Sequence, residues 1–137
     1  MKTLTTCGAI LVDESDDILI VRRSKTDKHR PLQWDLPGGH VEPTESLDTA
    51  LVREVGEETS LDIASVIRQP VYAVSDVIEN TSITWLFFIV HIQKGKLALS
   101  FEHDEYKWVS IDQAIDAIEY ERKKKALMYV RDNSLLG

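Results

Sequence analysis

The sequence predicts an α/β layered domain, because strand-like and helix-like segments alternate along its 137 residues. Several short runs are rich in the β-branched and aromatic residues that favour strands. Three other stretches repeat apolar residues at helical spacing. The sequence contains neither internal repeats nor low-complexity linkers. We therefore expect residues 1–137 to form a single domain in which helices cover a sheet.

The N-terminal segment predicts a β-hairpin followed by a loop. The runs TTCGAILVD (5–13) and ILIVRRS (18–24) are apolar and separated by the polar turn ESDD. Residues 25–35 are polar and contain one proline, which favours a loop. Pro37, Gly38 and Gly39 then predict a sharp turn.

The first helix is predicted from Ser46 to Glu58. Its apolar residues recur at helical spacing, and Thr44 and Ser46 are both candidates for the N-cap.

The second half of the chain predicts two more strands and two more helices. Residues 64–76 and 82–95 have strand composition, with the turn VIEN between them, and the second run is apolar enough for a central strand. Residues 111–118 and 121–132 have helical period. Within the last helix, the run ERKKK (121–125) predicts a solvated face.

Charge and composition exclude some classes of function. The formal net charge of −7 argues against binding to a nucleic-acid polymer, because such binding depends on neutralising phosphates with Lys and Arg. No apolar run approaches the roughly 20 residues needed to span a bilayer, and the N-terminus lacks a cleavage site for export. The single cysteine, Cys7, is interpreted as structural and fits a reducing compartment. We therefore expect a cytoplasmic protein that contacts no membrane.

Acidic residues crowd one flank of the first predicted helix. At about 100° per residue, Arg53, Glu54, Glu57 and Glu58 fall within roughly 140° of one another, beside the buried edge. Like charges at this spacing cost a few tenths of a kcal/mol each, and glutamates in the last turn oppose the helix dipole. A hard divalent cation would remove the conflict, since Mg²⁺ prefers oxygen ligands. The alternative for this stretch alone is a solvated acidic face with an Arg53–Glu57 ion pair.

The segment before the helix favours the metal site. In PGGHVEPTES the two glycines allow a tight turn and close approach of the backbone to a ligand. Gly39, five residues, Glu45, seven residues and then REVGEETSL closely resemble the signature of the Nudix hydrolases. The resemblance implies the Nudix fold, an α/β/α sandwich with a mixed β-sheet. It also implies hydrolysis of a nucleoside diphosphate linked to another moiety, with Mg²⁺ or Mn²⁺ as cofactor.

The resemblance also implies roles for individual residues. Arg53 would orient the glutamates by ion pairing and, with Glu54 and Glu57, belong to the catalytic group. Glu45 would support the helix or assist a metal. The implied metal ligands, including one backbone carbonyl, are Gly39, Glu45, Glu54, Glu57 and Glu58.

Ser60 and Thr44 depart from the usual signature, since glycine commonly occupies both positions. A serine at the end of the helix costs about 1 kcal/mol if its φ is positive, or else the helix ends differently.

A general base is expected outside the signature. The stretch FEHDEYKWV (101–109) resembles the EHxxYxW stretch of several Nudix pyrophosphohydrolases, and Glu102 matches its glutamate. Asp104 and Glu105 are nearby alternatives, and an ordinary polar loop before a strand is another.

The substrate is predicted by elimination. The chain lacks the proline and tyrosine that mark ADP-ribose and dinucleoside polyphosphate hydrolases after the signature. This favours a nucleoside triphosphate pyrophosphohydrolase of the MutT type, acting on ordinary, oxidised or non-standard nucleotides. The alternatives are a dinucleoside polyphosphate hydrolase, a nucleotide-sugar hydrolase and a non-catalytic nucleotide-binding module.

Overall fold

This computed structural model describes residues 1–63 and 69–136. The described residues form seven strands and three helices, joined by loops and turns. The strands are β1 (Lys2–Val12), β2 (Ile18–Arg23), β3 (Trp34–Asp35), β4 (Gly38–His40), β5 (Tyr72–Ile78), β6 (Thr81–His91) and β7 (His103–Val109). The helices are α1 (Leu47–Thr59), α2 (Ile111–Ala117) and α3 (Glu121–Asp132). None of these helices is both long enough and apolar enough to cross a membrane.

The strands form one mixed sheet. Its order is β3-β2-β1-β6-β5, and β4 pairs with β1 while β7 pairs with β2. The long β1 and β6 strands run parallel along their whole length, whereas the other pairs are antiparallel. The prediction of a central strand at 82–95 is confirmed, because β6 has a neighbour on each side.

Two apolar clusters cover opposite faces of this sheet. Along β1, Cys7, Ala9 and Leu11 pack with the buried residues of α1, and Ile10 and Val12 pack with those of α2 and α3. This alternation is the two-residue period of a strand that is buried on both sides. The predicted α/β/α sandwich with a mixed sheet is confirmed.

The predicted hairpin and the first helix are confirmed, and Ser46 is the N-cap of that helix. The Ser46 side chain accepts a hydrogen bond from the Thr49 N–H, a capping role that Thr44 does not take. The strand predicted at 64–76 is observed as Tyr72–Ile78, and residues 64–68 lie outside the described residues.

Three strands, β3, β4 and β7, were not predicted from the sequence. β7 begins at His103, inside the stretch for which a polar loop was one interpretation. β3 lies in the predicted loop, and β4 contains the two glycines of the predicted turn. β4 pairs antiparallel with β1, and this pairing sets Gly39 opposite Cys7. Glycine is a poor strand former, so only the neighbouring strand explains this extended segment.

Helix α1 ends at Ser60 in the left-handed conformation, with φ 64° and ψ 11°. The Ser60 N–H donates to the Gly56 carbonyl at 2.9 Å, and its hydroxyl donates to the Ala98 carbonyl at 3.1 Å. The strain of a positive φ at a serine is therefore offset in part by a side-chain hydrogen bond that glycine cannot make.

Candidate active site

A cleft of about 830 Å³ lies beside α1 and β4. Its lining includes residues of β4, α1, the turn before β7, the segment 23–37 and α3. Six of the seven site residues predicted from the sequence line this cleft: Gly39, Arg53, Glu54, Glu57, Glu58 and Glu102. Glu45, the exception, reaches the same group through Arg53.

Arg53 joins the acidic residues of α1 to the segment before it. Its Nε and Nη2 atoms donate to the two carboxylate oxygens of Glu45 at 2.6 and 2.8 Å. Its Nη1 donates to Glu54 at 2.9 Å and to Glu57 at 3.4 Å, and Nη2 also donates to the His40 carbonyl at 3.1 Å. The hydrogen bonds from Arg53 lower the pKa of Glu45 to about 2. Arg53 thus fixes three carboxylates relative to one another.

Glu58 is the most deeply buried of the clustered glutamates, with a relative exposure of 5%. One carboxylate oxygen accepts the Gly38 N–H at 2.8 Å, and the other lies 4.0 Å from Nε2 of His103. Burial raises the pKa of Glu58 well above its usual value, and the nearby carboxylates, including Glu54, raise it further. Burial also lowers the pKa of His103, so at neutral pH this imidazole does not neutralise Glu58.

Glu54 packs against the glycine turn. A Cβ at Gly39 would lie 2.5 Å from the Glu54 carboxylate, so no side chain fits there without moving it. Gly38 has a φ of 149°, and a Cβ there would lie 2.1 Å from the Cys7 carbonyl oxygen. Burial raises the pKa of Glu54, although Arg53 acts in the opposite direction. The two glycines therefore allow the carboxylate and the backbone to approach each other closely.

The carboxylate oxygens of Glu54, Glu57 and Glu58 are of the type that a hard divalent cation binds. Within residues 1–63 and 69–136, no three His, Cys, Asp or Glu side chains are already arranged around a metal position. Glu54 is held by Arg53 and Glu58 by Gly38. Glu57 is 60% exposed, and its one ion pair within the described part of the chain is the 3.4 Å contact with Arg53. A cation would offset the charge of two carboxylates whose pKa values burial raises, and Glu57 is free to turn toward it.

The three candidates for the general base lie in different environments. Asp104 and Glu105 pair with Arg22, at 2.8 and 3.3 Å. The hydrogen bond from Arg22 lowers the pKa of Asp104. Of the three residues, only Glu102 lines the cleft.

A second charged group on the cleft wall was missed by the sequence analysis. Asp35 is buried and pairs with Lys123, with Arg23 at 2.8 Å and with Arg30 at 3.7 Å. Burial alone would raise the pKa of Asp35, but Lys123, Arg30 and Arg23 together hold it below its usual value. An aspartate inside the run QWDLP is the only local signal for such a group.

The prediction that residues 121–125 form a solvated face is wrong for Lys123. Its side chain is 11% exposed, because it reaches from α3 to the Asp35 carboxylate. A cationic partner stabilises the buried Asp35 carboxylate, and this interaction overrides the polarity of the run.

Comparison with known proteins identifies relatives of the whole chain. A model of the NUDIX domain matches residues 2–130. The rat bis(5'-nucleosyl)-tetraphosphatase [asymmetrical] is 31% identical over 90% of each chain. A putative 8-oxo-dGTP diphosphatase of Bacillus subtilis is 48% identical over 46% of this chain and 39% of its own. The crystal structure of a MutT protein from Methanosarcina mazei Go1 superposes with a TM-score of 0.82 and 27% identity, covering 96% of each chain.

Proposed function

This chain belongs to the Nudix family of hydrolases, and we propose that it is a nucleoside triphosphate pyrophosphohydrolase of the MutT type. As a Nudix pyrophosphohydrolase it cleaves a phosphoanhydride bond of a nucleotide. The proposed products are a nucleoside monophosphate and pyrophosphate. The observation that carries the proposal is the Arg53 network, which holds Glu45, Glu54 and Glu57 in one group beside the cleft.

We assign Mg²⁺, or Mn²⁺ in its place, to the acidic side of the cleft. Glu54, Glu57 and Glu58 would supply carboxylate oxygens, and the Gly39 carbonyl is a further donor. Both oxygens of Glu45 are bound to Arg53, which supports a positioning role for Glu45 over direct ligation. When bound, the cation offsets the phosphate charge and acidifies water.

The chain's own residues supply the remaining steps. Glu102 is assigned as the general base, because its carboxylate can accept a proton from a water in the cleft. Arg53 keeps Glu54 and Glu57 in place during turnover, and its bonds to Glu45 and the His40 carbonyl hold Arg53 itself.

A dinucleoside polyphosphate is the second candidate substrate. The similarity to the rat tetraphosphatase favours it, because that similarity spans 90% of both chains. A nucleotide sugar has no such relative among those described above. A non-catalytic module is disfavoured, because every charged position of the signature is retained.

We also propose that residues 1–137 form one domain of a cytoplasmic protein. The two apolar clusters on opposite faces of the same sheet support a single domain. The buried free thiol of Cys7 fits a reducing compartment.

The test is release of phosphate or pyrophosphate from a panel of substrates in Mg²⁺. The panel contains the common nucleoside triphosphates, 8-oxo-dGTP, ADP-ribose and diadenosine tetraphosphate. We expect turnover of at least one triphosphate, and a loss of about 100-fold or more in kcat for Glu57→Gln. Glu14→Gln is the matched control, since Glu14 is exposed in the β1–β2 turn and does not line the cleft.

Two results would contradict the proposal. Turnover of diadenosine tetraphosphate without turnover of any triphosphate would favour the second candidate. Equal activity of Glu57→Gln and Glu14→Gln would exclude the assigned metal site.

A further inference from the structure

His103, the first residue of β7, lines the cleft beside Glu58. The backbone ties these two residues to each other. The Ser100 N–H donates to the Glu58 carbonyl at 3.2 Å, and the His103 N–H donates to the Ser100 carbonyl at 3.3 Å. Two backbone hydrogen bonds therefore position His103 relative to the end of α1.

A β-bulge separates His103 from its exposed neighbour. Across the β2–β7 pair, Arg22 lies opposite Glu105 and Arg23 lies opposite His103, which leaves Asp104 as an extra residue. Asp104 is exposed and pairs with Arg22, whereas the His103 side chain is only 5% exposed. Bulges next to an active site commonly re-aim a side chain, and this one accompanies an imidazole that is buried at the cleft.

The Nε2 atom of His103 faces a carboxylate oxygen. It lies 4.0 Å from Oε1 of Glu58. Burial lowers the pKa of His103, so the ring is neutral at neutral pH and carries a single N–H. Nδ1 is buried and has no hydrogen-bond partner within residues 1–63 and 69–136. A proton on Nδ1 would leave a buried donor unpaired and would direct the Nε2 lone pair at an oxygen, so the Nε2–H tautomer is favoured.

The Glu58 carboxylate can accept this N–H and still bind a cation. Its Oε2 atom accepts the Gly38 N–H at 2.8 Å, and Oε1 is the oxygen that faces His103. A shift of about 1 Å would bring Nε2 within hydrogen-bond distance of Oε1. Each carboxylate oxygen has two lone pairs, so one hydrogen bond to each oxygen leaves a lone pair on both for a metal ion.

Building on the metal site assigned above, we propose that His103 is a positioning residue whose Nε2–H donates to Glu58 and orients that carboxylate for the divalent cation. Arg53 holds Glu54 and Glu57, and His103 completes the set by holding the remaining glutamate of α1. Loss of a hydrogen-bonding partner behind a metal ligand typically weakens metal binding by about 10- to 100-fold.

The test is binding of Mn²⁺ to the full chain without nucleotide, followed by the decrease in the electron paramagnetic resonance signal of free Mn²⁺. His103→Phe retains a buried ring and removes the donor, so we expect it to raise the Kd for Mn²⁺ by about 10- to 100-fold. His103→Leu serves the same purpose with a smaller side chain. His103→Gln should stay within about threefold of the wild type, because its amide can place an N–H near the position of Nε2.

His91→Phe is the matched control, because His91 is exposed at the end of β6 and does not line the cleft. It should leave the Kd for Mn²⁺ unchanged. Thermal denaturation in EDTA shows whether each variant is folded, which separates a change in metal affinity from a loss of structure.

Steady-state kinetics distinguishes positioning from proton transfer by His103. In His103→Phe the Mg²⁺ concentration that gives half the maximal rate should rise by about 10- to 100-fold, whereas kcat at saturating Mg²⁺ should fall by less than about threefold. A large loss of kcat at saturating Mg²⁺ would assign His103 to proton transfer and contradict the positioning role.

Three binding results would overturn the proposal: unchanged Mn²⁺ affinity in folded His103→Phe or His103→Leu, an equal loss of affinity in His103→Gln, or no Mn²⁺ binding by the wild-type protein. The last result would also contradict the assigned metal site. Mn²⁺ binding that depends on His103, without hydrolysis of any triphosphate, would contradict the proposed reaction and leave the role of His103 supported.

Discussion

Replacing Glu58 with glutamine should stabilise the metal-free protein. The Glu58 carboxylate is buried, accepts one hydrogen bond from the Gly38 N–H and has no cationic partner among the described residues. Glutamine has nearly the same shape, and its amide oxygen can accept the same bond. The substitution therefore removes a buried charge and retains the packing.

The expected gain follows from this environment. A buried polar group that lacks a full set of partners costs about 1–3 kcal/mol, and glutamine removes the charge that makes this cost high for Glu58. For a domain of this size each kcal/mol corresponds to about 3–5 °C in Tm. We therefore expect Glu58→Gln to raise the Tm of the metal-free protein by about 3–15 °C at pH 8.

The stabilisation by Glu58→Gln should increase as the pH rises. Burial raises the pKa of Glu58 in the folded state. The wild-type protein therefore loses stability as the pH rises from about 4.3, the pKa of glutamate in the unfolded chain, through the higher pKa of the folded state. Below that window the carboxyl is protonated in both states, and the advantage of glutamine disappears. Glu54 and Asp35 repel the Glu58 carboxylate, and glutamine also removes this repulsion.

Thermal denaturation followed by circular dichroism in EDTA, from pH 4 to pH 8, measures this difference. Glu57→Gln is the matched control, because Glu57 is 60% exposed and its removal should change stability by no more than about 0.5 kcal/mol. Adding Mg²⁺ should raise the Tm of the wild-type protein more than that of Glu58→Gln. The reasoning is refuted if Glu58→Gln is the less stable protein at pH 8, or if its gain is the same at pH 4.

Three further substitutions test the centre and the C-terminal end of α1. Arg53→Lys should lower kcat/KM by about 10- to 100-fold with a smaller effect on substrate binding, because lysine cannot hold Glu45, Glu54 and Glu57 together. Steady-state kinetics measures this effect, and unchanged kcat/KM would show that the network is not needed. Ser60→Ala should lower the free energy of unfolding by about 1 kcal/mol in urea denaturation, since it loses the Ala98 bond and keeps the positive φ. The free energy of unfolding of Ser60→Gly should stay within about 0.5 kcal/mol of the wild type, because relief of backbone strain offsets the lost hydrogen bond to Ala98. If Ser60→Gly were as destabilised as Ser60→Ala, this explanation would be contradicted.

Helical periodicity predicted the acidic side of the cleft well. Of the three glutamates on α1, Glu58 lies nearest the buried edge on the helical wheel and Glu57 lies furthest from it. Their side chains are 6% and 60% exposed, respectively. The turn before the helix was also visible, because Gly38 and Gly39 are needed for close contact with Cys7 and Glu54. Both features follow from a sequence pattern within residues 38–58, although the contact between Gly38 and Cys7 itself joins distant parts of the chain.

The other side of the cleft could not be predicted in the same way. Asp35 bonds with Arg23, 12 residues away, and with Lys123, 88 residues away. Arg23 ends an apolar strand, and Lys123 lies in the run that predicts a solvated face. Only the packing of α3 against the sheet brings Lys123 to Asp35. β3 and β4 were missed for the same reason, since their extended conformation depends on pairing with β2 and β1.

The two charged groups together explain how an acidic protein can bind a polyanion. Around Asp35 there are three cations, Arg23, Arg30 and Lys123. Asp27 and Asp35 neutralise two of them, so this end of the cleft retains one net positive charge. At the other end Arg53 faces several carboxylates, and its hydrogen-bond donors are directed at them and at the His40 carbonyl. One net positive charge cannot balance a triphosphate, so the remaining charge has to come from a bound cation. The basic residues then remain available to orient the nucleotide.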